Sequence, residues 1–517
     1  MFEPLDDSLK KIARGTGIAM LAMFFGLLFE FIARLIIARY GLEANYGIFS
    51  LALVVLTVSM TLACLGLHLG ATRYIAYFRS REEVARVRGT ISASLQLGTA
   101  ASIIIGVTIF FSANAIALNI FHTQDLVPAL RIFAIGIPFF TLINILAAIF
   151  RGFDRVEPQA YFQSIMLNIL FLLLLLGVIL LDLPFIVVFY AYLAALVFTL
   201  IAFVVYTVRK LPKPITFTDS KAGGSLRKEL LIFSLPLLGT AMLGMIIFWM
   251  DTLMLGYFKT PEVVGLYNAA YPLAYFISVP MAALLLIYTP VATSLYSQNL
   301  MAELRRNYAI LTKWLSFLTL PIFLVLCLFP EAVLNIFWGP AYIPVAPALR
   351  ILSLGFIITN LSGPSGATLV ALGHPGFQMW ATLAAAVMNL TLNIALIPPL
   401  GIIGAAIASA IALALASVIR LLRLYSLCKT QPLSKNLLKP LVTSVALAFL
   451  FQVTIGSFLT ITLWMLPLLF ISYYAIYGIA TVFTRSFDRE DIALLLEIEK
   501  RSGIDATPLK KIMRRFI

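Results

Sequence analysis

Runs of about twenty apolar residues follow one another through most of this chain, broken only by short polar loops. A helix crosses the hydrocarbon core of a bilayer in roughly 20 residues. Fourteen such runs can be read, at 15–39, 46–69, 91–112, 127–150, 160–181, 185–208, 230–257, 264–296, 311–329, 346–370, 378–397, 402–426, 438–456 and 461–483. Hydrophobic residues make up 62% of the chain and charged ones 12%. A soluble core of this size would instead show amphipathic stripes and polar loops of ordinary length. The expected class is an all-α polytopic membrane protein with about fourteen transmembrane helices. No small-residue cleavage site follows the first run, so it is expected to be a retained span rather than a secretory signal.

The basic residues sort by loop. The N-terminus, the even-numbered connections between spans, the segment 420–439 and the tail from 484 hold 32 of the 37 Lys and Arg residues. Arg34, Arg39, Arg131 and Arg350 lie in or at the ends of spans, and Lys259 lies in an opposite loop. Basic loops face the cytoplasm, so both termini are expected there, in a plasma-membrane protein. The net charge of +14 is then topological. Its expected partner is anionic inner-leaflet lipid, not nucleic acid. The three cysteines Cys64, Cys327 and Cys428 lack metal-ligand spacing and read as packing residues.

The chain also repeats itself. Leu118-Asn119-Ile120-Phe121 precedes Pro128-Ala129-Leu130-Arg131-Ile132, and Leu334-Asn335-Ile336-Phe337 precedes Pro347-Ala348-Leu349-Arg350-Ile351, at offsets of 216 and 219. Gly47 and Gly265 occupy matching places in a second pair of segments, at an offset of 218. Internal repeats in a polytopic chain are the mark of transporters that bind between repeats. Each repeat has six spans, an even number, so the pseudo-two-fold axis should run along the membrane normal. The expected organisation is an N-terminal six-helix bundle (1–208), a basic cytoplasmic linker (209–229), a C-terminal six-helix bundle (230–426), two added helices (427–483) and a basic tail (484–517). In that tail, Leu509, Ile512, Met513 and Phe516 oppose Lys510, Lys511, Arg514 and Arg515, a pattern suited to lying on a membrane surface.

Prolines 138, 236, 272, 280, 290, 321 and 364 fall inside spans and each removes a backbone donor. The run 264–296 is too long to cross straight, so it should bend or tilt. Gly404, Ala408, Ala412 and Ala416 form a stripe of small residues that permits close helix contact.

Charges inside spans are costly and tend to be functional. Glu30 and Arg34 lie four residues apart in span 1, and Asp251 lies in span 7. Two readings stand. Arg34 is a counter-charge for an anionic substrate, with Glu30 or Asp251 binding a coupling Na+ or H+; or Glu30 and Arg34 simply pair. Arg131 and Arg350, equivalent in the two repeats, either form a symmetric cationic pair or snorkel to the interface. Arg73 could draw a phosphate into the cytoplasmic mouth, although topology alone explains it. Asn168 and Asn393 are either cavity ligands or, with Asn389, hydrogen bonds between helices. No phosphate-cradling loop ending in Lys-Ser/Thr and no metal-binding motif occurs in the sequence, so neither an ATPase nor a resident metal or cofactor is expected. Without a long loop to hold a catalytic centre, no enzyme is expected either.

Basic Lys10-Lys11-Ile12-Ala13-Arg14-Gly15, then Ala38-Arg39-Tyr40-Gly41, Tyr46-Gly47-Ile48-Phe49, Gly265-Leu266-Tyr267-Asn268-Ala269-Ala270, Phe337-Trp338-Gly339-Pro340-Ala341-Tyr342 and Gly401-Ile402-Ile403-Gly404-Ala405-Ala406-Ile407-Ala408 follow in order. Together they resemble the polysaccharide-exporter, O-antigen flippase-like branch of the multidrug/oligosaccharidyl-lipid/polysaccharide (MOP) superfamily, to about residue 483. The resemblance implies two six-helix bundles about a cavity, alternating access, and transfer of lipid-linked oligosaccharide to the outer leaflet. It implies cationic cavity residues for the substrate's phosphates, a role Arg34 fits best, and glycan-assembly enzymes as possible partners. The alternative is a cation-coupled drug or metabolite antiporter of the same superfamily.

Overall fold

The structure, a computed structural model, describes residues 3–211, 224–429, 439, 442–447, 450, 453 and 465–483. Most of the linker 209–229, most of the run 438–456 and the amphipathic tail lie outside the described residues. Among the described residues the regular elements are all helical, and eleven segments are long and apolar enough to cross a membrane. The segment Phe24–Ser80 is 57 residues long, about 86 Å as a straight helix and far beyond a bilayer core of ~30 Å. Leu42, at φ 59° and ψ −177°, breaks it, so it holds two of the passes expected from the sequence. The run 461–483 is represented by the helix Met465–Phe483.

The chain forms two compact units, Met1–Gly265 and Leu266–Ile517. The first holds α1 (Glu3–Ala63), α2 (Leu67–Ser80), α3 (Val84–Ala115), α4 (Leu126–Gly152), α5 (Glu157–Leu180), α6 (Ile186–Lys210) and α7 (Gly224–Phe258). At its centre is α4, which packs against α1, α2, α3 and α6 and buries residues on every side, as a helix apolar all round must. By contrast α3 buries one stripe, Thr90, Ser94, Gly98, Ser102 and Gly106, each four residues from the next. A Cβ on Gly106 would stand 2.9 Å from the Ala134 carbonyl oxygen, so α3 and α4 approach to backbone contact. Lipid gives helices no hydrophobic reason to associate, so small residues that allow such packing supply the attraction. The opposite face of α3, with Ile103, Ile104, Val107 and Phe111, is exposed.

The two repeat glycines Gly47 and Gly265 meet within this unit. A Cβ on either would stand 3.0 Å from the other's backbone nitrogen. No other residue fits both positions, which gives the repeated glycine a packing reason.

The second unit contains most of α8 (Pro261–Tyr275), then α9 (Val279–Ser297), α10 (Met301–Leu328), α11 (Pro330–Phe337), α12 (Ala346–Leu361), α13 (Ser365–Ala371), α14 (Pro375–Leu400), α15 (Ile402–Cys428) and α16 (Met465–Phe483). A 3-10 turn at Phe276–Ser278 interrupts the long run 264–296. The run 346–370 breaks between α12 and α13, where Gly363 takes φ 64° and Thr312 lies against it. Asn360 donates to Ser278 Oγ at 3.2 Å and so links the two breaks. Pro138, Pro236, Pro272, Pro290 and Pro321 instead lie inside continuous helices, as prolines in membrane helices often do. The stripe Gly404, Ala408, Ala412 and Ala416 is buried where α15 packs on α12 and α14. Tyr474 donates to the Leu318 carbonyl at 2.6 Å, docking α16 on α10.

Candidate functional site

A cavity of about 310 Å³ opens inside the first unit, at the lower end of the size range of small-molecule sites. Both arms of α1 contribute to it: Glu30, Ala33 and Arg34 before the break at Leu42, and Phe49, Leu53 and Thr57 after it. Phe140 and Asn144 come from α4, Gln163, Leu167, Asn168 and Phe171 from α5, Tyr192 from α6 and Trp249 from α7.

Glu30 and Arg34 are its only charged lining residues, and they pair. Arg34 Nη2 stands 2.7 Å and Nε 3.1 Å from Glu30 Oε1. One turn of helix sets this geometry, because residues four apart share a face. The Arg34 side chain is 13% exposed and that of Glu30 46%, so the carboxylate is the more accessible of the two. The Trp249 ring centre lies 6.0 Å from the guanidinium, within reach of a cation–π attraction.

Opposite chemistry lines the rest. The Phe49 and Phe171 rings stack at 6.1 Å with 3° between their planes, and Tyr192 meets Phe171 edge-on at 4.9 Å. Beside this aromatic wall stands a row of amides. Asn144 Nδ2 donates to the Phe140 carbonyl at 2.9 Å, and Gln163 Nε2 donates to Asn144 Oδ1 at 2.8 Å. Asn168 Nδ2 donates to the Ser164 carbonyl at 2.8 Å. A π-helical turn, Ala160–Met166, interrupts α5 at this point. In an α-helix, residues five apart diverge by about 140°. The wider i→i+5 turn narrows that angle and brings Gln163 and Asn168 to one cavity.

Glu30, Arg34 and Asn168 thus line a common space. Asp251 is buried on α7, two residues beyond Trp249, and does not line the cavity. Arg73 is exposed on α2, over the Phe233 ring at 4.2 Å. Arg131 is exposed at the start of α4, over the Phe110 ring at 5.7 Å. In the second unit, Arg350 pairs with Glu331 at 2.9 Å and donates to the Cys327 carbonyl at 3.0 Å. Asn393 there donates to Asn389 at 3.0 Å along α14, and Asn389 donates to Ser409 Oγ at 3.2 Å; the second bond joins α14 to α15. Asn144, Gln163, Thr57, Tyr192 and Trp249 were not singled out from the sequence. Isolated amides within spans were the one available signal for the first two.

Relatives agree on the class of molecule. An uncharacterized membrane protein of Methanocaldococcus jannaschii is 24% identical over 77% of this chain and 81% of its own length. A probable low-salt glycan biosynthesis flippase of Haloferax volcanii, Agl15, is 26% identical over 44% of this chain and 48% of its own. Among solved structures, the lipid II flippase MurJ in an inward closed conformation matches with a TM-score of 0.66 at 16% identity, over 89% of this chain and 97% of that one. An inward-facing multidrug MATE transporter of the MOP superfamily matches with a TM-score of 0.65 at 19% identity, over 80% and 99%. The two solved structures establish a shared fold. The family model for polysaccharide biosynthesis proteins matches residues 12–296, more than half of the chain, and this multi-pass membrane protein belongs to that family.

Proposed function

We propose that the protein is a flippase that carries lipid-linked oligosaccharide from the inner to the outer leaflet by alternating access. The observation that carries this reading is the cavity of the first unit. It combines an aromatic wall, a row of amides and one ion pair in a chain of the polysaccharide biosynthesis family. A saccharide headgroup needs such a mixture: hydrogen-bonding groups for its hydroxyls, flat apolar surface for its C–H faces, and few fixed charges. The flippase name of the Agl15 relative points the same way.

On this reading the chain transports and does not catalyse. Two six-helix bundles, 1–208 and 230–426, move about the linker 209–229, and both termini face the cytoplasm beside most of the basic residues. Arg34 is the candidate contact for a substrate phosphate, and it can take that role only by exchanging Glu30 for the phosphate. Glu30 and Asp251 are the candidate sites for a coupling Na+ or H+. Arg73, Arg131, Arg350 and Asn393 are secondary candidates. Lipid-linked saccharide, membrane lipid and glycan-assembly enzymes are the proposed partners.

A cation-coupled drug antiporter is the second reading, favoured by the likeness to MATE transporters and by the acid in the cavity. Deleting the gene in its host separates the two. A flippase predicts that lipid-linked saccharide accumulates on the cytoplasmic face while surface glycan falls. Unchanged glycan with new sensitivity to cationic drugs would replace the flippase by the antiporter.

A further inference from the structure

The ion pair leaves selection in this cavity to uncharged groups. Glu30 neutralises Arg34 at 2.7 Å, and the other lining residues carry no charge. A phosphate offers only acceptors, and an apolar drug offers neither donors nor acceptors. A sugar hydroxyl offers both, and so does a carboxamide.

The amides can be inventoried. Asn144 spends one N–H on the Phe140 carbonyl, and its oxygen accepts from Gln163. Gln163 keeps a second N–H and its Oε1 for a guest. Asn168 donates to the Ser164 carbonyl at 2.8 Å and the Gly26 carbonyl at 3.4 Å and keeps its Oδ1. The bonds already made fix the direction of the remaining groups, and with the π turn at Ala160–Met166 both Gln163 and Asn168 line the cavity. Trp249, Phe49 and Phe171, nearly fully buried, line the cavity with Tyr192 as its aromatic wall. The electron-rich face of an aromatic ring attracts weakly positive hydrogens, such as those on the face of a pyranose.

Resting on the flippase reading, we propose that Asn144 and Gln163 are specificity-determining residues that select an uncharged sugar ring of the substrate through its hydroxyl or acylamino groups. Asn144 positions the Gln163 carboxamide, and Gln163 touches the sugar.

The test measures equilibrium binding to the purified full-length protein. One probe is the host's lipid-linked saccharide fraction and the other is bare polyprenyl diphosphate. Wild-type protein should bind the saccharide-bearing lipid at least ~10-fold more tightly, the effect of one or two hydrogen bonds. Asn144→Ala and Gln163→Ala should erase that preference and leave binding of the bare lipid within about 2-fold, since neither residue faces a phosphate in this account. Gln163→Met keeps the side-chain volume and removes its hydrogen bonds, so it decides the matter if the alanine variants lose both probes. Equal affinity of the wild type for both probes, or unchanged preference in Gln163→Met, overturns the proposal. Measuring leaflet exchange on the same preparations separates the two ideas. Selective binding without exchange sinks the flippase and keeps the selectivity, whereas exchange indifferent to Gln163→Met does the reverse.

Discussion

Glu30 and Arg34 show what one helical turn can decide. Their spacing makes the pair readable from sequence alone, but not that Arg34 is held by two of its nitrogens on Glu30 Oε1. The two substitutions therefore have opposite expected signs. Glu30→Gln removes the competing carboxylate and should tighten binding of bare polyprenyl diphosphate about 10-fold, because it leaves a guanidinium suited to phosphate without its counter-charge. Arg34→Ala should weaken it by at least as much. Weaker binding in Glu30→Gln would mean that the pair is structural and that phosphate is held elsewhere. Asn144 and Gln163 escaped sequence reading for a physical reason. They come from different helices, and the π turn that presents Gln163 has no composition of its own: Ala160 to Met166 reads as ordinary membrane helix.

The helices were largely legible because lipid imposes length and continuity on each pass. Their breaks were legible only in part. A 33-residue run had to bend or tilt, and a 3-10 turn interrupts it at Phe276–Ser278. Leu42 gave no such warning. It takes φ 59° with ψ −177° and is 63% exposed, a conformation tolerated almost only by glycine and costing about 1–3 kcal/mol in other residues. Leu42→Gly should therefore raise the thermal unfolding midpoint of the purified protein, and an unchanged or lower midpoint would show that Leu42 makes a compensating contact. Helix glycines divide by what surrounds them. Gly177 has nothing within 4 Å of a Cβ, so Gly177→Ala should stabilise by about 0.5–1 kcal/mol through helix propensity. At Gly106 a Cβ would press on the Ala134 carbonyl, so Gly106→Ala should destabilise by ~1–3 kcal/mol through overpacking. Thermal melts of both variants in one detergent give the two signs, and equal effects would refute the contact between α3 and α4.

For the chain as a whole, membrane class and repeats were visible because both are patterns of many residues. The cavity was not, because it is assembled from single side chains on α1, α4, α5, α6 and α7. Its composition carries the functional reading, and movement of a lipid-linked glycan is the property at stake. The decisive measurement reconstitutes the purified protein in liposomes with lipid-linked saccharides from its host. It then follows how much glycan becomes accessible to an impermeant oxidant on the opposite leaflet. The flippase reading predicts exchange that depends on the protein, and the role proposed for Gln163 adds that exchange falls in Gln163→Met. No exchange under any ion gradient, with cation-driven dye export from the same vesicles, would contradict it.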